Sequence, residues 1–325
     1  MIGQWEMFND SISCISLLDN NYIILEKLGD GQSSNVYLAL CRKKNILSAI
    51  KIYKNKFMTI KHKQVNTNDN YFVKENNTLN KLSHDNIIKK LNSKNNACYN
   101  KNDGCEEVVN YISLEYAENG CLINYLMNPN KGLGEYMSKH VFSQLVDALS
   151  YIHQQNFIHL DIKLDNILLD KYWNVKLADF GYAIQNEYNK LISSYVGTLC
   201  YCAPEILKKN PFLGYSADIF SLGVVLFILV VGSIPFKEAS AYDESYKLII
   251  KGEFDLFWKS KQKYISFNLS SEFKSLFFSM VCNNPSDRIN MNNIKENIWL
   301  KGKLPSIEEI SEEFNGRKKL IRDKR

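Results

Sequence analysis

Asp161, Lys163 and Asn166 stand in the run Ile158-His159-Leu160-Asp161-Ile162-Lys163-Leu164-Asp165-Asn166, and Asp179-Phe180-Gly181 begins thirteen residues beyond Asn166. The chemistry that needs these types in this order is phosphoryl transfer. A carboxylate, Asp161, orients an attacking hydroxyl and accepts its proton. Lys163 offsets charge on the transferred group. Asn166 and Asp179 offer hard oxygen ligands to Mg²⁺. Any one of them alone is more often an ordinary polar loop residue; the ordered set is not.

Two further features lie upstream. The stretch Leu28-Gly29-Asp30-Gly31-Gln32-Ser33-Ser34-Asn35-Val36 falls between two strand patterns. Glycines there let backbone N–H groups approach phosphate oxygens without a Cβ in the way. Taken singly, such a turn also suits a plain hairpin. It lacks the Gly-Lys-Ser/Thr ending of a P-loop, and it opens a strand rather than the helix of a dinucleotide site. Lys51 sits among apolar neighbours in Ala49-Ile50-Lys51-Ile52. A lysine so placed needs an anionic partner or its pKa falls. Glu75, on the next helical segment, is the candidate. The alternative is a surface lysine on an edge strand.

These side chains need elements to position them. Tyr22–Leu28, Asn35–Cys41 and Leu47–Tyr53 read as three short strands of an antiparallel meander. Phe72–Leu82 reads as a helix, with Val73, Leu79 and Leu82 repeating at helical spacing. Strands resume near Ile87-Ile88 and at Val108–Tyr116, with the polar stretch Asn92–Glu107 between them as a hairpin insertion. After Gly120 the pattern turns helical, and Val141, Leu145, Ala148, Leu149 and Ile152 mark one buried face. The segment from Tyr215 to Trp299 reads as mostly helical. The order is β-rich, then helical: an α+β chain dividing near Ala117–Gly120. The tail from Lys301, acidic and then basic, predicts a solvated or surface-docked helix.

Composition bounds the rest. The chain has 325 residues, 45% hydrophobic and 23% charged, which permits a large core and excludes fibrous or globally disordered classes. Its 40 basic and 35 acidic residues leave +5, too mild for a dedicated nucleic-acid binder. Residues 42–109 carry 14 basic and 6 acidic side chains, so the excess concentrates in the β-rich part. Eight cysteines without a CxxC pair, and no secretory signal, point to reduced thiols in the cytoplasm, nuclear entry being left open. The most apolar stretch, Ile219–Phe236, is broken by Ser221, Gly223, Gly232 and Pro235. It reads as a buried helix rather than a membrane span.

From about Tyr22 to Leu300 the sequence resembles the eukaryotic protein kinases. The Gly-rich loop, Ala49-Ile50-Lys51, Glu75, His159-x-Asp161-x-Lys163-x-x-Asn166, Asp179-Phe180-Gly181 and Ala203-Pro204-Glu205 occur in the family order. The resemblance implies a bilobal fold: an N-terminal extension over 1–21, a small antiparallel β-rich lobe with one key helix over about 22–116, a larger mainly helical lobe over about 117–300, and a charged tail over 301–325. It implies ATP and Mg²⁺ as cofactors, with Lys51 aligning the α/β-phosphates. It places the adenine hinge at Glu115 to Ala117 with Leu114 as gatekeeper, and sandwiches adenine between Val36, Ala49 and Leu168. Leu79, Leu91, His159 and Phe180 would form an apolar spine. Asp218 matches a buried aspartate of a large-lobe helix, and Arg288 matches the arginine that pairs with Glu205. Lys163 and Gly197-Thr198-Leu199-Cys200-Tyr201-Cys202-Ala203-Pro204-Glu205 look like the Ser/Thr type. Ala217–Leu229 followed by Pro235-Phe236 resembles the calcium/calmodulin-dependent and AMP-activated kinase group.

The sequence departs from that pattern in places. Leu160 stands where the family usually has an arginine, which in kinases that have it receives a phosphorylated activation loop. Activity is therefore expected not to depend strongly on phosphorylating Ser194, beside Ser193. Ser33 and Ser34 replace an aromatic and a glycine of the loop. Cys121 replaces a glutamate of arginine-directed kinases and is expected at the mouth of the ATP pocket, either open to acrylamides or an inert thiol. Asp165 retains a carboxylate next to Asn166, and Tyr182 after the Asp-Phe-Gly favours serine as acceptor.

The implied protein is a monomeric serine/threonine protein kinase with a protein substrate bearing a Ser or Thr acceptor. No nucleic acid partner is expected. The alternative, motivated by Leu160 and Ser34, is a pseudokinase scaffold that binds nucleotide or partners without catalysis.

Overall fold

The computed structural model describes residues 16–54, 57–60, 63–66, 69–127, 131–186, 190–193, 197–265 and 267–322. Ser194 lies outside them. The chain divides into two compact units. One is built from the chain up to Ser83 and from Ile88–Ala117, the other from His84–Ile87 and from Glu118 onward. The first is β-rich and the second mainly helical, which makes the chain α+β.

The first unit contains β1 (Leu17–Leu18), β2 (Tyr22–Asp30), β3 (Ser34–Cys41), β4 (Ile46–Tyr53), β5 (Phe57–Ile60), β6 (Lys63–Asn66), helix α1 (Asp69–Lys81), β7 (Lys90–Asn100) and β8 (Glu106–Glu115). Six strands close a barrel in the order β1-β2-β3-β4-β8-β7. Leu18, Tyr22, Ala39, Ile50, Ala97, Tyr99, Val109 and Tyr111 fill its core. The meander of β2, β3 and β4 agrees with the alternating sequence pattern. The N-terminal part differs from expectation. Leu17–Leu18, assigned to an unpatterned extension over 1–21, pairs with both β2 and β7 and so seals the barrel. A two-residue strand has no periodicity to read, yet closure removes two edges. The polar stretch Asn92–Glu107, expected as a hairpin insertion, is a hairpin: it forms arms of β7 and β8, paired antiparallel within the barrel.

Helix α1 buries Phe72, Glu75, Thr78 and Leu79, with Leu82 just beyond its end. Val73 was expected on that face and is 46% exposed. The true stripe runs 72-75-79, and a charged residue in it hides the period from a hydrophobic pattern. The strand expected at Ile87-Ile88 is a single parallel bridge from Ile87 to Leu177, within the second unit. Asn86 fixes that turn: it donates to Gln144 Oε1 at 2.7 Å and to the Val175 carbonyl at 3.1 Å, and its carbonyl accepts from the Leu177 N–H at 2.8 Å.

The second unit contains β9 (Gly120–Cys121), α2 (Ile123–Met127), α3 (Gly134–Gln154), β10 (Phe157–Ile158), β11 (Ile167–Leu169), β12 (Val175–Leu177), β13 (Ile184–Gln185), α4 (Pro204–Leu207), α5 (Gly214–Val231), α6 (Glu244–Ile250), α7 (Phe254–Lys261), α8 (Ser271–Met280), α9 (Met291–Lys295) and α10 (Ile307–Arg322). The five apolar positions read on α3 are all buried. Helix α5 is long and apolar enough to cross a membrane, but its side chains are buried inside the unit, against α3 and α8. Gly232 ends it at φ +83°, the left-handed cap that a Cβ disfavours. The charged tail forms α10, which is docked rather than solvated: it buries Ile310, Phe314 and Arg317. All described cysteines are free thiols.

Candidate active site

In the first unit, β4 presents Lys51 and α1 presents Glu75. Lys51 Nζ donates to Glu75 Oε2 at 2.6 Å, with both side chains buried. Tyr53 donates its hydroxyl to the same oxygen at 2.7 Å. Tyr53 was not singled out from the sequence, although its position two residues after Lys51 puts it on the same strand face. A buried carboxylate that accepts from two donors is fixed in place, and it fixes the ammonium in turn.

The glycine-rich loop is the β2–β3 turn, closed by Gly31 N–H donating to the Ser34 carbonyl at 2.8 Å. Gly29 pairs with Val36 and Asp30 with Asn35. Leu28 and Gln32 are exposed, and Ser34 is buried. Ser33 takes the Lys54 backbone N–H through its carbonyl at 2.9 Å. Lys27 and Lys54 both reach the Asp30 carboxylate, at 2.7 and 2.8 Å. The Lys27 hydrogen bond, then that of Lys54, lowers the Asp30 carboxyl to about 2. These lysines were not read as loop partners, because nothing in their spacing marks them. Next to the loop, Val36 pairs with Lys51, and Ala49 pairs with Leu38 and Leu114 across adjacent strands. Glu115 ends β8, where its Oε1 accepts the Lys89 N–H at 2.8 Å; Ala117 is buried.

In the second unit, the catalytic-loop candidates converge on one carboxylate. Lys163 Nζ donates to Asp161 Oδ2 at 2.7 Å, and Asn166 Nδ2 donates to the same atom at 2.9 Å. Asn166 Nδ2 also reaches the Asp161 carbonyl at 2.8 Å. Among the described residues no donor meets Asp161 Oδ1. Lys163 reaches the Thr198 hydroxyl at 3.2 Å as well. Thr198 was part of a quoted motif but carried no role in the sequence reading.

The loop's backbone is pinned from beneath. Asp218, 1% exposed on α5, accepts the N–H of His159 at 2.9 Å and of Leu160 at 2.8 Å. His153 Nε2 lies 2.9 Å from the same carboxylate. The Asp161 N–H donates to His159 Nδ1 at 3.2 Å, so the neutral ring carries its proton on Nε2 and donates it to the Ala178 carbonyl at 3.2 Å. That carbonyl directly precedes Asp179. His159 also packs on Phe180 at 4.8 Å between centroids. Asp179 itself is held at φ +63°, and Gly181 N–H approaches its Oδ1 at 3.4 Å. Ala178 N–H donates to the Asn166 carbonyl at 2.8 Å, which ties the segments of Asn166 and Asp179 together.

The donor set suits Mg²⁺. The Asn166 amide nitrogen is committed to Asp161, which leaves its oxygen as a hard ligand, and the Asp179 carboxylate is a second group of that kind. Among the described residues no group of three His, Cys, Asp or Glu side chains could hold a metal alone. Two protein oxygens with phosphates completing the shell is the ordinary Mg²⁺ arrangement.

Leu168 pairs with Cys121 across β11 and β9. Cys121 is half-buried, and burial, then the charge of Asp165, pushes its thiol up. That opposes the reactive one of the two expectations for this thiol: raising the pKa removes thiolate. Cys202 is pushed up to about 12 by burial and then by the charge of Asp161.

Arg288 and Glu205 form the bidentate pair expected of them. Nη1 reaches Oε1 at 2.5 Å and Nη2 reaches Oε2 at 2.6 Å.

The family model described as "Protein kinase domain" matches residues 22–300. The chain is 30% identical over 281 residues to "Probable serine/threonine-protein kinase MARK-C" of Dictyostelium discoideum, covering 86% of this chain and 33% of that protein. It is 34% identical over 197 residues to the human "SNF-related serine/threonine-protein kinase", covering 60% of this chain and 24% of the relative. It is 36% identical over 192 residues to "Probable serine/threonine-protein kinase HSL1" of Saccharomyces cerevisiae, covering 59% and 12%. The chain therefore spans a third or less of the length of these relatives.

Proposed function

The chain belongs to the protein kinase family, and we propose on that premise that it is an ATP- and Mg²⁺-dependent serine/threonine kinase that phosphorylates protein Ser or Thr hydroxyls. The observation that carries the reading is the Asp161 carboxylate, whose Oδ2 takes both Lys163 and Asn166 at 2.7 and 2.9 Å. That leaves Oδ1 to orient the acceptor hydroxyl and take its proton. Lys163 holds Asp161 in place at rest and offsets negative charge on the group in transfer. Bound Mg²⁺ would neutralise charge on the ATP phosphates. Asn166 and Asp179 offer it oxygen ligands, and Lys51, fixed by Glu75, meets the α/β-phosphates. The relatives named as serine/threonine kinases support the acceptor type.

On the same reading activity does not depend strongly on phosphorylation at Ser194, because Leu160 offers no cation to receive a phosphate. Comparison of Ser194→Ala with wild type tests this, and a loss beyond tenfold in kcat/KM refutes it. The retained carboxylate of Asp165, which is exposed, favours basic residues near the acceptor, and Tyr182 favours serine.

The deciding experiment is transfer from radiolabelled ATP to an arrayed peptide library, with and without Mg²⁺. Asp161→Asn should lose about 10²–10⁴-fold in kcat, the usual size of a general-base contribution. If the folded wild type binds ATP yet transfers nothing, or Asp161→Asn transfers equally well, the kinase assignment fails and a nucleotide-binding scaffold replaces it.

A further inference from the structure

Helix α10 lies beyond residue 300, where the family match ends. It is nevertheless bound into the second unit by three successive anchors. Phe314 is fully buried; it stacks on Trp173 at 5.2 Å and meets Tyr125 edge-on at 5.6 Å. Arg317 is 5% exposed. Its guanidinium donates to the carbonyls of Tyr125 at 2.9 Å, Lys131 at 2.7 Å and Gly132 at 2.8 Å, and its Nε donates to Glu313 at 2.7 Å. Tyr125 belongs to α2, and the last carbonyls of a helix have no partner within it. Arg317 supplies one from outside the helix.

The third anchor reaches further. Lys318 lies over the Trp173 ring at 5.5 Å and donates to Asn119 Oδ1 at 2.6 Å. Every polar group of Asn119 is engaged. Its N–H donates to the Leu169 carbonyl at 3.0 Å, its Nδ2 to the Asp170 carbonyl at 2.7 Å, and its carbonyl accepts the Tyr125 hydroxyl at 2.8 Å. Burial pushes that hydroxyl up to about 12, so it remains a donor. Asn119 therefore joins two sets of bonds: one runs to α10 and α2, the other to the end of β11. The next two residues, Gly120 and Cys121, pair with Leu169 and Leu168.

We infer that α10 is a clamp on the β9–β11 pair, with Lys318 as a positioning residue that sets nucleotide affinity through Asn119. The link to nucleotide rests on the function proposed above and on the place against adenine that the family resemblance gives Leu168. Lys318 touches no reacting group. It acts by fixing the strand pair, so losing it weakens ATP binding and leaves the chemical step intact. The tail thereby becomes a lever: whatever lifts α10 off Trp173 loosens the strand pair.

The test uses the full chain and Lys318→Met, which keeps the side-chain stem over Trp173 and removes the donor. Kd and KM for ATP should rise about threefold to tenfold, the range for losing a partly exposed charged hydrogen bond. At saturating ATP, kcat should stay within about twofold of wild type, because the substitution leaves the transition-state contacts in place. Lys318→Arg should restore most of the affinity. A helix with only a structural role would lower Tm without changing Kd, and that result overturns the inference. Amide exchange at 119–121 and 167–169, read without nucleotide, tests the clamp by itself. Faster exchange in Lys318→Met supports it, and unchanged exchange refutes it. A wild type that binds no ATP while exchange still responds overturns the proposed function and the affinity role together, leaving the clamp standing.

Discussion

Arg288→Met should be among the most damaging single substitutions in the second unit. The Arg288 side chain is 1% exposed and that of Glu205 is 9% exposed. Both carboxylate oxygens accept from the guanidinium, at 2.5 and 2.6 Å. Nε also donates to the Cys282 carbonyl at 2.9 Å and Nη1 to the Ser216 carbonyl at 3.1 Å, while the guanidinium lies 5.0 Å over the Phe220 ring. Removing the cation strands a buried carboxylate, at about 3–5 kcal/mol. The two carbonyls lose partners as well, but these losses overlap and do not add.

At about 2–4 °C per kcal/mol for a unit of this size, Tm should fall by roughly 6–20 °C. Glu205→Met alone should act similarly, because it strands the guanidinium. The double variant Glu205→Met/Arg288→Met buries no charge and should recover most of the loss, within about 2 kcal/mol of wild type. Urea unfolding followed by tryptophan fluorescence, run as a double-mutant cycle, measures all three. A single-variant loss below about 1 kcal/mol would refute the reasoning. So would a double variant as unstable as the sum of the singles, since that would mean packing at α4 and α5, not charge pairing, holds the site.

Tyr53→Phe removes a donor from Glu75 Oε2; stability should fall by about 1 kcal/mol, and KM for ATP should rise severalfold as Lys51 gains freedom. Burial lowers the His140 pKa below its ordinary value, so the unfolded chain binds that proton more readily. The stability this contributes is present above about pH 6.5 and declines as pH falls through that value toward the lower folded pKa; His140→Gln should flatten this part of a Tm-against-pH curve. Iodoacetamide should modify Cys121 more slowly than exposed Cys105, and Asp165→Asn should narrow the gap; peptide mass spectrometry reads both rates, and a fast Cys121 would refute the burial argument.

The residues that meet at Asp161 were legible in the sequence because they lie close together in the chain. Asp161, Lys163 and Asn166 lie within six residues, and each type has one chemical use in that set. Glu75 was legible for a different reason: a buried lysine on β4 demands an anion, and the next helix offered one. What was not legible depended on distant partners. Leu17–Leu18 becomes a strand only because β2 and β7 both leave an edge for it. Val73 and Glu75 exchange the roles that hydrophobicity assigns them, since pairing with Lys51 and Tyr53 makes the carboxylate a core residue. Cys121 looked reactive by position, but its burial and the charge of Asp165 are tertiary facts. Arg317 and Lys318 sat in a tail that reads as a solvated or surface-docked helix, and only the docked helix shows their targets to be carbonyls and an amide.

The leucine at position 160 can be placed in physical terms. Its backbone is left-handed, at φ +65°, a conformation that costs a residue with a Cβ roughly 1 kcal/mol or more. The Asp218 carboxylate holds it there by accepting two consecutive N–H groups, and His153 lies against the same carboxylate. The loop's shape is thus set by α5 from beneath, through backbone groups that any residue at 160 would offer. The leucine side chain is 7% exposed and adds apolar burial to the loop. An arginine there would bring a cation that must find an anion, and the conformation of Asp161 would then depend on whether one was present. With leucine, the Asp161–Lys163–Asn166 geometry is complete without such a partner. Installing Leu160→Arg should therefore leave the backbone of the loop intact and lower activity unless an anion is supplied on the activation segment.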